Sequence, residues 1–583
     1  MMWHARTGES EESWSQGQDG QAGQRRVRGN AARASAGAAT RPGAAWQSPS
    51  SARSEFADAL AGQLKVLGDP ESVPSAFQAE VATSVVLGNV TEAGTKQGIK
   101  PETTRELLVE AIRHMVEGLE RTPSAAYPAL RALAGLAPPE VAGYAAETAA
   151  GLAGDRGALP GAGDGTASAA AGAPPWVDDL ARVTPGACHV TEDEFGETLA
   201  VLCEFSYRGG TGPHCVFGVI DRAWHSAVTT LVVADEPADK QLGRMEKDAR
   251  RHGSKVREVS HAEAGRLLRD GIASFWKYGA APGTDRGERY GLLCSSLAIA
   301  SARAAVLAPG AAVTDAAAER WPAEARRALV EEFLASPQAA ELRDPIARKV
   351  PHLLAMCCVG HLGCEPVLIG PSVLERVLVD ALPRAAITPD RFGKAVPQAV
   401  RAWTDWLAER NKLADRSRRR LGFSLRAALV RFPDAWYGPA AHPLRRYLED
   451  LSDEDASTGN IVNAVIERRV FAVPLPIERV DGLAEQSDGS RREASELDAA
   501  VPSDRTLLTV MEASARGVPQ QRFPSFVTVV QQLWDGDPPQ VWEAAWRLRD
   551  AGRSRDRVLD RLARTWDAHR GDDKKDVAAP KQL

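Results

Sequence analysis

The spacing of hydrophobic and polar positions changes along the chain, and the changes divide it. Over residues 54–152 apolar positions recur at helical spacing. The clearest helix opens at Pro101-Glu102 and puts Leu107, Leu108, Ile112, Met115, Val116 and Leu119 on one side. Pro123, Pro128 and Pro138-Pro139 cut the remainder into short helices. After Trp176 the period drops to two. Leu199, Val201, Cys203 and Phe205 alternate with Thr198, Ala200, Leu202 and Glu204, which predicts a strand. Gly209, Gly210 and Gly212 mark a hairpin loop, 215–220 and 228–233 supply two further strands, and 255–259 is a candidate fourth. The connections are too short for crossover helices, so the sheet is expected to be antiparallel. Ser260 and Glu263 form a capping box that opens a helix with Leu267, Leu268 and Ile272 inside. Helical spacing then returns, with helices predicted at 290–307, 322–335, 345–359, 371–381, 389–414 and 461–470.

The fold class that follows is α+β and predominantly helical, with helical regions flanking a small domain that carries a sheet of 3–4 antiparallel strands. The expected divisions are a tail at 1–52 without apolar period, a helical region at 53–153 and a Gly/Ala-rich linker at 154–174. The α+β domain takes 175–277 and a helical domain 278–475. A polar linker at 476–500, a C-terminal helical module at 501–570 and a charged tail at 571–583 complete the chain.

The C-terminal module specifies its own local structure most fully. Phe523, Phe526, Val527, Val530, Leu533 and Trp534 make one apolar stripe that stops at Asp535-Gly536. Asp537-Pro538-Pro539-Gln540 has the residues of a helix start, with Asp537 as the expected cap. Gly552 ends that helix, Ser554 caps the next, and Val558, Leu559, Leu562, Ala563 and Trp566 face inward. The stretch QLWDGDPPQVWEAAWRLRDAG with RVLDRL resembles the core of the DUF1841 family, small bacterial proteins of uncharacterised function. The likeness rests on Gln532, Asp537-Pro538-Pro539, Val541-Trp542, Arg547-Leu548, Gly552 and Val558-Leu559. That family's pattern implies histidines on the first and third helices, where this chain has Val527, Asp556 and Asp560. Asp556 and Asp560 stand four apart on one helix, but two carboxylates fall short of the six or more oxygens a hard cation takes. A first-turn carboxylate and a solvated charge are the expected roles.

Bulk properties narrow the function classes. Lys+Arg number 71 against 77 Asp+Glu, a net charge of −6, so no global field draws the chain to nucleic acid or an anionic membrane. The 7 cysteines are odd in number and dispersed, which predicts free thiols and a reducing, cytoplasmic setting. The most apolar stretch, 291–313, is interrupted by Ser295, Ser296, Ser301, Arg303 and Pro309, and reads as a buried helix, with no membrane partner expected. The chain contains no phosphate-binding G-x-x-x-x-G-K-[ST] and no H-E-x-x-H.

Three clusters could carry chemistry. Cys358, His361 and Cys364 have short zinc-ligand spacing, but a structural site needs a fourth ligand, so packing is the expected role and no cofactor is assigned. His214 and the turn Asp221-Arg222-Ala223-Trp224-His225 lie at strand ends, where a histidine near carboxylates could do general acid–base work, but nothing in the spacing demands it, and turn chemistry with a satisfied surface histidine is the expected role. Arg416, Arg418, Arg419 and Arg420 make a basic run after a helix bearing Trp403 and Trp406, a combination that suits nucleic acid. Those tryptophans share a face with Val396, Val400 and Leu407, which argues for core instead. The expected function is a non-catalytic interaction or regulatory protein with an unknown protein partner. The rivals are a hydrolytic enzyme, metal-assisted in one version, with its site between the α+β domain and the following helices, and a nucleic-acid-associated protein.

Overall fold

A computed structural model describes residues 73–572 apart from short internal stretches, of which 158–174, 453–458, 475–482 and 486–490 are the longest. The expected tail at 1–52, the end of the tail at 573–583 and most of the two expected linkers lie outside the described residues. The chain forms two compact units, one of residues 1–328, 358–374 and 407–423, the other of 329–357, 375–406 and 424–583.

The first unit is built on an antiparallel sheet with strands β1 (Val183–Glu192), β2 (Thr198–Tyr207), β3 (His214–Asp221), β4 (Ala227–Ala234) and β5 (Val256–Glu258), in spatial order β4-β3-β2-β1-β5. The α+β, predominantly helical class is therefore correct, but the sheet has five strands where three or four were expected. The strand missed is β1. Pro185-Gly186 breaks its alternation, and the pairing with β2 slips between Pro185 and Cys188, a bulge that absorbs the irregular residues. The candidate fourth strand is β5, which pairs with β1 at the sheet's edge.

Alternation along the strands makes both faces apolar. Leu202, Cys215, Phe217 and Ala234 pack with Met245 of the helix Ala238–His252. The opposite face meets the helices His261–Tyr278 and Glu288–Leu307. Gly218 in β3 permits this approach, since a Cβ there would stand 2.7 Å from Leu268 Cδ2. Ser260 caps the helix His261–Tyr278, its hydroxyl accepting from the Glu263 N–H at 3.2 Å.

The helix Glu288–Leu307 is long and apolar enough to cross a membrane, yet 67% of its most apolar window is buried inside the structure. Against it lies Ala76–Lys96, which the helices Pro101–Leu119, Pro123–Leu136 and Pro139–Gly157 follow. Gly88 sets the close crossing, because a Cβ would fall 2.4 Å from the Cys294 carbonyl oxygen. Beside it the Ser84 hydroxyl donates to the Ser295 carbonyl at 2.6 Å.

In the second unit, Phe333 packs on Trp403 and Trp406 at centroid distances of 5.0 and 5.5 Å, so both tryptophans are core. Arg445 is buried with its guanidinium 3.4 Å from the Trp436 ring centroid, and donates to the carbonyls of Leu382, Ala386 and Trp436. Three C-terminal helices, Phe523–Asp535, Pro539–Asp550 and Arg555–Asp572, follow Pro502–Ala515. Phe526, Val530, Trp534 and Leu559 share one core with Tyr447, Phe471 and Leu508, and Trp542, Leu548 and Leu562 pack on it half-buried. A module this short gains most of its burial from such neighbours. Gly536 and Gly552 adopt φ of +74° and +76°, the left-handed stops. The expected cap at Asp537 does not form: Pro538 holds the N-cap position without a side-chain bond, because the second proline moves the helix start one residue on.

Candidate functional site

At one end of the sheet the two hairpin turns β1–β2 and β3–β4 stand side by side. In the first, the Asp193 carboxylate accepts the N–H groups of Phe195 at 3.2 Å and Glu197 at 2.8 Å, and Gly196 supplies φ +72°. In the second, the Asp221 carboxylate accepts the Ala223 N–H at 3.0 Å. The Arg222 N–H donates to the Glu197 carbonyl at 2.8 Å and ties the turns together. His225 and Ser226 close the second turn with φ of +49° and +52°, a left-handed pair with no glycine in it. Two such residues in succession carry strain that the surroundings must hold.

The segment 361–370 holds it. The His225 backbone N–H donates to the Leu362 carbonyl at 2.6 Å, and its ring Nε2 to the His361 carbonyl at 3.0 Å. A carbonyl only accepts, so Nε2 carries the proton and Nδ1 is the lone-pair nitrogen. That nitrogen faces Gly363, where a Cβ would stand 2.1 Å from it and φ is +61°. The other face of the ring lies flat on Tyr278 at 3.5 Å and 7°. Burial, and after it the neighbouring His361, pushes the His225 imidazole down to about 4, against the pull of its bond to the His361 carbonyl.

Glu197 anchors the first turn to the same segment. It is 2% exposed, and its carboxylate accepts the N–H groups of Ser372 at 3.0 Å and Val373 at 2.6 Å, at the start of the helix Pro371–Arg376. Gly370 permits the approach, since a Cβ there would meet the Glu197 carboxyl carbon at 2.3 Å. Burial raises Glu197 to about 8; the two amides pull it down, while Asp193 and Asp221 push it up.

Between the turns and this segment lies a cleft of about 240 Å³. Phe195, Arg222, Ser226, Arg320, Glu365 and Asn411 line it, with Val367 and Leu368 as further apolar wall. Arg320 pairs with Glu365 at 2.7 Å and Arg222 with Glu192 at 3.5 Å, and Asn411 donates to the Val367 carbonyl at 2.9 Å. No family model matches the chain, and no curated protein or solved structure matches it.

The predicted candidates distribute as follows. Cys358 and Cys364 are buried, and the Cys364 N–H donates to the Cys358 carbonyl at 2.9 Å. The thiol of Cys364 is pushed up by its hydrogen bond with the Cys358 thiol and then by burial. The His361 ring stands edge-on to Trp224 at 6.5 Å. Among the described residues no group of three or more His, Cys, Asp or Glu side chains is gathered to hold a metal ion. Asp556 lies 3.7 Å from Arg516 and 3.9 Å from Arg555, and Asp560 lies 3.9 Å from Arg522, which it shares with Asp567 at 3.3 Å. The arginine run opens a new helix, Asp415–Tyr437. Positive side chains at a helix start gain nothing from the dipole. Arg420 instead pairs with Glu194 at 2.7 Å, and Arg418 donates to the Leu413 carbonyl at 2.9 Å.

His214 belongs to a different cluster, at the opposite end of the β2–β3 hairpin from the cleft. Glu80, Tyr207, His214 and Arg303 are each at most 3% exposed. Arg303 donates to the Glu80 carboxylate, to the Tyr207 hydroxyl at 3.0 Å and to His214 Nε2 at 3.0 Å. Tyr207 in turn donates to Glu80 at 2.6 Å, and His214 Nδ1 meets the Gly212 carbonyl at 2.9 Å. Burial, then Arg303, pushes His214 down to about 4, consistent with a neutral ring that accepts from the guanidinium. Sequence reasoning missed this cluster and Glu197. The visible signals were a lone arginine in an apolar helix and the turn residues Asp193 and Gly196.

Proposed function

We propose that this protein is a non-catalytic interaction or regulatory protein whose cleft at the hairpin turns is a recognition point. One observation carries the reading: the carboxylate, imidazole and thiol beside the cleft that suit acid–base or nucleophilic work are engaged elsewhere. Glu197 occupies two helix-start amides. His225 spends Nε2 on a carbonyl and turns Nδ1 against Gly363. Cys364 shares a buried contact with Cys358. A general base needs its lone pair within reach of a substrate proton, and a wall of backbone at that nitrogen denies it. The reading carries with it a cytoplasmic setting, supported by seven free, buried cysteines, and a bacterial source, which the DUF1841 resemblance implies.

The test is a turnover screen of the purified chain against ester, phosphoester and amide chromogenic substrates, with and without divalent metal. Rates at the buffer background are expected, unchanged in Ser226→Ala and His225→Asn. Turnover that either substitution abolishes while the thermal midpoint holds would establish the hydrolytic alternative instead.

A further inference from the structure

We propose that the cleft is a receptor for a small carboxylic acid with a short apolar body, its carboxylate on Arg222 and Arg320 and its body against Phe195, Val367 and Leu368. Size sets the first limit. A cleft of about 240 Å³ is smaller than the roughly 300–1,000 Å³ of pockets for drug-sized ligands, and equals about eight water volumes. Charge sets the second. Each guanidinium of the lining has a carboxylate beside it, but Glu365 sits on Arg320 at 2.7 Å while Glu192 stands 3.5 Å from Arg222, so Arg222 keeps most of its N–H donors for an anion in the cleft. Chemistry sets the third. A planar guanidinium matches a carboxylate with paired N–H donors, and Glu365 already shows a carboxylate seated on Arg320 at 2.7 Å.

The cation and the apolar wall meet at one point. From the position a Cβ would take on Gly196, Leu368 Cδ1 is 3.7 Å away and Arg222 Nη1 is 3.8 Å away. A ligand passing over this bare backbone touches hydrocarbon and positive charge together. Asn411 lines the same cleft with an amide that has one N–H directed to Val367, and Ser226 adds a hydroxyl from the strained turn. Strained non-glycine backbone concentrates where ligands are held, and here it lines the cleft. The inference goes beyond the non-catalytic reading and does not depend on it: turnover would sink that reading alone, and failure of binding would sink only this one.

The experiment uses the full chain and ligand-observed NMR with three probes: butyrate, butyramide and inorganic phosphate. Butyrate is expected to bind with a Kd on the order of 1 mM, the range open to roughly six heavy atoms. Butyramide, which lacks the charge, and phosphate, which lacks the apolar body, are expected to bind at least about fivefold more weakly. Arg320→Gln and Arg222→Gln should each weaken butyrate about tenfold, as loss of a charge-assisted pair does. Glu365→Gln should tighten it about threefold, since the competing carboxylate is gone; a folding defect would move the affinity the other way. Lys240→Gln, in the helix that follows the end of β4 away from the cleft, should change nothing. Equal binding of butyrate and butyramide, tighter binding of phosphate, no binding of butyrate at 10-fold above about 1 mM, or butyrate affinity indifferent to Arg320 and Glu365 would each overturn the proposal.

Discussion

Arg303→Met tests whether the buried cluster holds the first unit together. The guanidinium is 1% exposed and serves Glu80, Tyr207 and His214 at once. Methionine keeps much of the volume, so little of the cost is cavity. What remains is a carboxylate that is itself 1% exposed and has lost its countercharge. Breaking a buried pair from one side costs about 3–5 kcal/mol, because the stranded charge keeps its desolvation penalty. For a unit of this size that lowers the midpoint by roughly 4–9 °C. Glu80→Leu should cost a similar amount by stranding Arg303. The double variant should recover at least about 2 kcal/mol of the summed losses, since an apolar replacement of both charges removes the penalty the single variants create. Urea unfolding followed by circular dichroism gives the free energies. Hydrogen exchange in peptides covering β2 and β3 localises them, because the cluster pins the far end of the same two strands that carry the cleft. An Arg303→Met cost below about 1 kcal/mol, or strict additivity in the double variant, would refute the reasoning.

Two further outcomes follow from the same geometry. Gly363→Ala should destabilise by about 2 kcal/mol or more, since it combines a φ of +61° with a Cβ 2.1 Å from His225 Nδ1, whereas Gly360→Ala, with nothing within 4 Å, should be near neutral; calorimetric midpoints decide, and equal effects would mean that the His225 contact does not matter. Stability should be greatest below neutrality, between about pH 4.5 and 6.5. His214, held down at about 4 in the fold, leaves the unfolded chain to take up a proton below its ordinary value, so its contribution is full above about 6.5 and falls by roughly 3 kcal/mol as pH drops to 4. Glu197, raised to about 8, works in the opposite sense: its contribution is full below about 4.5 and is lost as pH rises through 8. The two slopes offset each other between about pH 4.5 and 6.5, so midpoints should be level there and fall from 6.5 to 8, and Glu197→Gln should instead rise from 4.5 to 6.5 and stay level above; an unchanged fall above 6.5 would show that Glu197 is not the group responsible.

What the sequence makes legible is what neighbours along the chain decide. Strands β2, β3 and β4 announce themselves by a period of two, Ser260 by its capping box, Gly536 and Gly552 by the stops that only glycine takes cheaply. Strand β1 hides because Pro185-Gly186 spoils its period, and the bulge that accommodates them exists only once β2 is beside it. Glu197 is harder still. Nothing near it states that its carboxylate will cap a helix whose first amides lie 175 and 176 residues away. Arg303 shows what partial legibility looks like. It stands with Ser295, Ser296 and Ser301 among the interruptions that argue against a membrane span in the stretch 291–313. The serines prove local: Ser295 and Ser301 each return a hydroxyl to the carbonyl four residues back, at 2.7 Å. Arginine has no such local remedy, since it only donates and its charge needs a countercharge. A buried arginine in an apolar helix therefore implies an acid elsewhere, and period alone cannot name it. Here it is Glu80, on the helix that Gly88 allows close enough to reach it. The small residue and the charge are two halves of one device. Each is readable as an anomaly in its own helix, and the fold supplies only the fact that the two helices meet.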